Sequence, residues 1–220
     1  MDIDRVDLAE QLRRAGATIL YEGIEGRILR QDGALYSDIL DGERLCRVLD
    51  GLNLSACELC AVKSQSAADA VSARFGLRGE NPCTQWVYSR SEPPKYPPYD
   101  IRILERQDVP LAAAHYHMIS DPQAYFLHCV DTEQIWGLYE GHHLAGFIGL
   151  HPKGSMGMLE VLPEYRHRGY GYALEAHLID VHLRRGWIPY CHVVDGNEAS
   201  VHLQRKLGLT CAALPAIWVY

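Results

Sequence analysis

Arg166, Gly169 and Gly171 stand in the order Arg-x-x-Gly-x-Gly within residues 161–173, V-L-P-E-Y-R-H-R-G-Y-G-Y-A. Glycines spaced this way let a backbone approach a ligand without Cβ interference. If a helix begins at that point, its first N–H groups lack intrahelical partners, and the positive end of its dipole faces the same spot. Arg166 and Arg168 add cations. A pyrophosphate is the guest this chemistry suits. The order differs from the P-loop, which ends Gly-Lys-Ser/Thr, and from the dinucleotide fingerprint, which needs a third glycine.

A strand must deliver the chain to this turn and a helix must carry it away. Met158, Leu159, Val161 and Leu162 form an apolar run ending at Pro163, which predicts a strand over residues 156–162. Leu174, His177, Leu178, Val181 and Leu183 then recur at helical spacing, predicting a helix over residues 172–185 that Gly186 stops. A strand (188–194), a helix (198–207) stopped by Gly208 and a last strand (216–220) follow. Upstream the pattern predicts a strand (101–104), helical segments (109–119 and 122–130) and a hairpin of residues 135–139 and 144–150. The first half reads as a helix (1–15), strands at 18–21, 27–29 and 34–39, a helix (41–52), a strand (57–62), a helix (66–75) and a strand (84–88). Asp32-Gly33 is a strong hairpin signal between the second and third strands. Residues 91–99, S-E-P-P-K-Y-P-P-Y, are too proline-rich for helix or central strand. They predict a linker between domains at 1–90 and 100–220.

At 220 residues, 48% hydrophobic and 22% charged, the chain is long enough and apolar enough for a soluble globule. Its acidic start has no apolar signal region and no run approaches a membrane span, so a cytoplasmic location without a membrane partner is expected. Seven cysteines, an odd number, fit a reducing compartment better than a disulfide framework. Cys57-x-x-Cys60 lacks the second pair a zinc site needs, so no metal is expected. A net charge of −7 disfavours nucleic acid and mildly favours amine substrates.

The halves resemble each other. Gly76-Leu77 recurs at Gly208-Leu209 and Trp86-Val87-Tyr88 at Trp218-Val219-Tyr220, at one common offset that also places Val62 on Val194 and Arg74 on Lys206. Two copies of one fold are therefore expected. Residues 166–171 fall on residues 34–39, which carry neither glycine nor arginine. The first copy is then expected to lack the phosphate loop and to serve as structure, lid or substrate-side wall.

The Arg166-x-x-Gly169-x-Gly171 turn, followed by Asn197-Glu-Ala-Ser200 and Lys206-Leu-Gly-Leu209, resembles the GNAT superfamily of N-acetyltransferases. Its coenzyme A pyrophosphate loop reads Gln/Arg-x-x-Gly-x-Gly/Ala, and its second signature is Asn-x-x-Ser/Ala before Leu-Gly-Phe. Leu162-Pro-Glu-Tyr-Arg166, Tyr190-x-His-Val193 and Asn197-Glu-Ala199 are similar to the C-terminal domain of glycine N-acyltransferases and their microbial relatives, which carry a degenerate N-terminal half. The resemblance covers residues 100–220 by motif and the whole chain by architecture. It implies an α/β (α+β) chain of tandem GNAT-like acyl-CoA N-acyltransferase folds, each a mixed central sheet flanked by helices, with acetyl-CoA as co-substrate. It implies that the backbone around Leu159, Val161 and Leu162 pairs with the pantetheine arm as an added strand would. Arg166, His167, Arg168, Gly169, Tyr170, Gly171, Tyr172 and Ala173 would hold the arm and pyrophosphate. Asn197 and Ser200 would begin the next helix, as a cap and as contacts to the arm.

The chain departs from the family pattern at two catalytic positions. Ser155 stands where the glycine-conjugating branch has its proposed glutamate, and Gln204 where many members have a tyrosine acid. An ammonium nucleophile must lose a proton before attacking a thioester, so a base titrating near neutrality is useful. His192, on the strand expected to flank the thioester, and Glu160, on the motif strand, are the candidates. The leaving thiol, with a pKa of about 8.5, needs little help, and Gln204 could still donate a hydrogen bond to it. Tyr125 and Tyr139 could replace the lost tyrosine from other elements. Cys191 is the only cysteine near the expected cleft and reads as packing, so direct attack in a ternary complex is expected. The function expected is acetyl-CoA-dependent N-acetylation of a small-molecule primary amine. Amino acids, polyamines, aminoglycosides and peptide termini all remain open as acceptors. Loss of both usual catalytic side chains leaves open a CoA-binding sensor, and a homodimeric interaction scaffold is a third reading.

Overall fold

The hairpin signal at Asp32-Gly33 is realised: both residues take positive φ, 49° and 81°, the twist a two-residue turn between antiparallel strands requires. The computed structural model that shows it describes residues 1–14, 16–54, 56–119 and 121–220. In chain order the elements are α1 (Val6–Arg13), β1 (Thr18–Gly23), β2 (Gly26–Gln31), β3 (Ala34–Ser37), α2 (Gly42–Gly51), β4 (Cys60–Val62), α3 (Gln65–Phe75) and β5 (Glu80–Val87). They continue with β6 (Asp100–Ile103), α4 (Val109–Ala114), α5 (Pro122–Asp131), β7 (Ile135–Glu140), β8 (His143–Leu150), β9 (Met156–Val161), α6 (Tyr170–Arg184), β10 (Tyr190–Val194), α7 (Glu198–Leu207) and β11 (Thr210–Val219). The result is a mixed α/β architecture with mixed sheets flanked by helices.

By contact the chain forms two units, Met1–Val87 with His192–Val201 and Thr210–Tyr220, and Tyr88–Cys191 with His202–Leu209. These are not contiguous halves, because β11 pairs antiparallel with both β4 and β5. In the first unit β1, β2 and β3 run antiparallel and β3 pairs parallel with β4. α2 and α3 close one face over Ile28, Leu35, Leu45, Leu49, Val62 and Val71. Leu8 of α1 lies with Leu29, Tyr36 and Ala61 in a separate cluster. β4 begins at Cys60, later than the expected residue 57, because the preceding residues turn back and the Cys57 thiol meets the Leu59 carbonyl at 3.1 Å. β11 starts earlier than the expected residue 216. Its Pro215 sits at a register shift against β5, where a missing N–H interrupts little of the ladder.

In the second unit β6, β7, β8 and β9 are antiparallel neighbours, and β9 meets the start of β10 in parallel. Phe147 of β8 packs edge-on to Phe126 of α5 at 5.4 Å, within a core that includes Leu104, Val109 and Met158. α6 packs against β8 and β9. The proline-rich segment has neither helix nor strand, yet it is held down: Tyr88 donates to the Glu92 carbonyl, Tyr96 meets His177 Nδ1 at 3.1 Å and Tyr99 packs edge-on to Tyr170.

Candidate functional site

β9 carries a distortion that its apolar sequence conceals. Between the pairs Phe147↔Glu160 and Gly149↔Gly157 it has one residue more than β8, and Met158 takes φ 57°. This is a β-bulge with a non-glycine residue in the left-handed region, a conformation costing roughly 1–3 kcal/mol and concentrated at functional sites. On its other edge β9 meets the start of β10 in parallel. Met156↔Cys191 is their single register pair among the described residues, so the β10-facing edge of β9 from Gly157 onward has no strand partner.

The chain leaves β9 through Leu162, whose amide donates to Ala145 O at 3.0 Å and whose side chain is buried. A 3-10 turn at Pro163–Tyr165 follows, then Arg166 with extended backbone, His167 at φ 63° and Gly169 at φ 84°. Gly169 is the N-cap of α6, and no side chain caps the helix. The amides of Tyr170, Gly171 and Tyr172 therefore open the helix uncapped, at the positive end of its dipole. A Cβ at Gly171 would meet Val161 and Leu203 only at 3.7 and 4.0 Å, ordinary contact distances. Among the described residues nothing requires glycine there, which leaves the cradle open to a ligand. The residues fit an anionic diphosphate.

The flanking arginines are already oriented. Arg166 donates from Nε to Val161 O at 3.0 Å and from Nη2 to Glu160 at 2.9 Å. Arg168 donates to Glu140 at 2.9 Å and to the Glu164 carbonyl at 3.0 Å. The Tyr170 hydroxyl also donates to Glu140 and, with Arg168 as the lesser influence, holds its carboxyl below the usual range. The Arg168 and Glu140 side chains are 49% and 39% exposed, so solvent screens their pair and it can be exchanged for a phosphate at little cost.

Several expected contacts take different roles. The amides of Leu162 and Ala173 are engaged within the protein, Ala173 with Gly169 O at 3.1 Å, so neither is available to a ligand. Leu159 lies on the open stretch of β9, partly buried as Val161 is; His167 is exposed; and Lys206 Nζ sits 5.3 Å over the Tyr172 ring. Asn197, in the first unit, accepts from the Ser200 amide at 3.1 Å, which is a helix cap. Glu160 is ion-paired with Arg166 and orients it. Gln204 is buried and donates one amide N–H to Glu175 at 3.0 Å. Burial lifts the Glu175 carboxyl to about 7 against the opposing pull of Gln204.

His192 lies in a buried network of the first unit. Its Nε2 is 3.1 Å from Gln85 Oε1 and 3.7 Å from Asp7 Oδ2, while Lys63 Nζ binds the same two oxygens at 2.9 and 2.8 Å. Gln85 Nε2 donates to Ile3 O, so its Oε1 is an acceptor and His192 Nε2 carries the proton. A further imidazole in the second unit went unnoticed in the sequence. Partly buried His151 meets the Tyr125 hydroxyl at 3.3 Å and lies against Gly157, where a Cβ would run into its ring. Burial, and less so Lys153, lowers its pKa to about 4, so it is neutral at pH 7. The signal that could have found it is a glycine in a strand shortly after a histidine, where a ring can rest on the bare backbone.

Residues 84–209 match the acetyltransferase (GNAT) family. Comparison with the curated proteins gives no match. Among solved structures, a GCN5-related N-acetyltransferase from Kribbella flavida superposes with a TM-score of 0.61 at 11% identity, over 99% of this chain and 93% of that one. A GNAT-family acetyltransferase from Colwellia psychrerythraea gives 0.58 at 14% identity, over 90% and 81%. A tandem GNAT protein from the clavulanic acid biosynthesis pathway gives 0.52 at 15% identity, over 98% and 87%. At these identities the likeness is one of fold.

Proposed function

Since the chain belongs to the acetyltransferase (GNAT) family, which uses acetyl-CoA as donor, we propose that it N-acetylates a primary amine of a small, amino-acid-like molecule by direct attack in a ternary complex. The observation that carries the reading is the uncapped start of α6 behind a bulged β9 paired only at its beginning. Arg166 and Arg168 would take two diphosphate oxygens, the amides of Tyr170, Gly171 and Tyr172 would take others, and the open edge of β9 would pair with the pantetheine arm. Acetyl-CoA, when bound, supplies the thioester carbonyl. The amine's proton needs an acceptor, and two imidazoles are available. Asp7 Oδ2 lies 3.7 Å from His192 Nε2, while His151 stays neutral beside the open edge of β9. We read the first unit as a fold of the same kind whose donor site has closed, as in the glycine N-acyltransferase-like pattern.

The test is thiol release from acetyl-CoA across a panel of amines, with acetyl-CoA thermal stabilisation in parallel. Stabilisation with amine-dependent release is expected; absence of stabilisation sinks the reading. His192→Gln and His151→Gln assign the base, since the correct variant alone should lose rate near neutral pH while keeping the stabilisation. A second reading, a CoA-binding sensor, draws on the burial of Gln204, where many members have a tyrosine acid, and of Ser155, where the glycine-conjugating branch has its proposed glutamate. It predicts stabilisation with no release for any amine.

A further inference from the structure

Cys57 and Cys60 belong to the first unit and to no part of the site above. Their Sγ atoms are 3.6 Å apart, with the Cys60 thiol donating to Cys57. When protonated, Cys57 donates in turn to the Leu59 carbonyl at 3.1 Å. Cys57 is 8% exposed, at the turn before β4, whereas Cys60, the first residue of β4, is 1% exposed. No third histidine, cysteine or carboxylate completes a metal-binding group with them among the described residues. We propose that Cys57 and Cys60 are a reversible dithiol–disulfide modification site, with Cys57 the attacking thiol and Cys60 the resolving one.

Geometry and exposure set the order of events. A small oxidant reaches Cys57 first, and Cys60 is already in contact behind it. Closing 3.6 Å to a disulfide length of about 2.05 Å needs roughly 1.5 Å of movement, which falls on the turn rather than on the paired strand. The bond donated by Cys60, with the Arg30 charge as a smaller contributor, lowers the Cys57 thiol below the usual thiol range and raises that of Cys60. With hydrogen peroxide as oxidant, the Cys57 thiolate attacks one oxygen, the O–O bond breaks, and a sulfenic acid forms as hydroxide leaves and is protonated to water. Cys60 sulfur then attacks Cys57 sulfur, its proton leaves with the sulfenic oxygen as a second water, and the S–S bond closes. Two thiols give up two electrons and two protons, and the peroxide becomes two waters. A dithiol reductant reverses the change.

The full chain is treated with a few equivalents of hydrogen peroxide, denatured in N-ethylmaleimide and cut with trypsin. The peptide 48–63 contains Cys57 and Cys60 and no other cysteine. It is expected unlabelled and about 2 Da lighter, and doubly labelled again after dithiothreitol. In Cys60→Ser a sulfenic acid at residue 57 should be trapped by dimedone, and in Cys57→Ser residue 60 should keep its label. If peptide 48–63 stays doubly labelled while the exposed Cys211 has already oxidised, or if residue 60 oxidises as fast in Cys57→Ser, the proposal is overturned.

Discussion

α2 after β3 and α6 after β9 each follow a strand with a parallel neighbour, and they finish their first turns in opposite ways. At α2 the carboxylate of Asp41 accepts the Arg44 amide at 2.8 Å, and Ser66 Oγ takes the Gly42 amide at 3.0 Å. A Cβ on Gly42 would strike the Ser66 carbonyl, so α3 fills the space in front of the helix. At α6 a left-handed glycine replaces the cap, no side chain accepts, and a Cβ on Gly171 would have room. A strand-to-helix turn thus becomes structural when the protein supplies its own anion and receptive when it withholds one. The buried faces differ in the same sense. α2 buries Leu45 and Leu49, whereas α6 also buries Glu175.

The difference breaks most completely if α6 is given an anion of its own. Gly171→Glu fills the cradle and sets a carboxylate against the diphosphate. Acetyl-CoA affinity should fall about 1000-fold, roughly 4 kcal/mol, by calorimetry. Unliganded stability should hold or rise by about 0.3–1 kcal/mol, since an acid in the first turn suits the dipole. Unchanged affinity would show that the uncapped turn is not the donor site.

Glu175 gives the next effect. Burial raises its folded-state pKa to about 7 from 4.5, so the unfolded chain gives up the proton first as pH rises. Its contribution is fully present below pH 4.5 and is lost as pH climbs to 7, a drop on the order of 2 kcal/mol after allowance for relaxation around the charge. Glu175→Gln should flatten that decline in urea unfolding between pH 4.5 and 8, and an equally steep decline in the variant would relocate the titrating group.

Arg166→Ala and Arg168→Ala should each weaken acetyl-CoA about tenfold, near 1.4 kcal/mol, with a shallower salt dependence. Folding stability should move little, because both guanidinium groups lie in solvent. A tenfold effect on affinity alone separates these arginines from structural ones.

What could be read from residues alone was local. Gly169 and Gly171 announce a backbone that must come close to something, and Asp32-Gly33 announces a turn, because each conformation needs its residue type. The bulge at Met158 was hidden, since methionine carries no preference for the left-handed region and only the β8 register reveals it. The networks around Gln204 and His192 were hidden for a different reason: their partners, Glu175, Gln85 and Asp7, are distant in sequence, and pairing at such range leaves no periodic trace. The common offset between the halves fails at the loop itself. Residues 34–37 are strand β3, and the turn matching residues 162–169 is the shorter 38–41.

The smallest effect tests whether closure of α2 has one cause or two. Asp41→Ala removes the cap and leaves the Arg44 amide without its acceptor, which should cost about 1 kcal/mol in urea unfolding. It should not create a second donor site, because Ser66 still binds the Gly42 amide and still fills the space a ligand would need. Titration with acetyl-CoA should therefore give one site per chain before and after the change. A second, weaker site in Asp41→Ala would mean that the carboxylate alone kept α2 shut, and that the first unit retains a cradle shaped like that of α6.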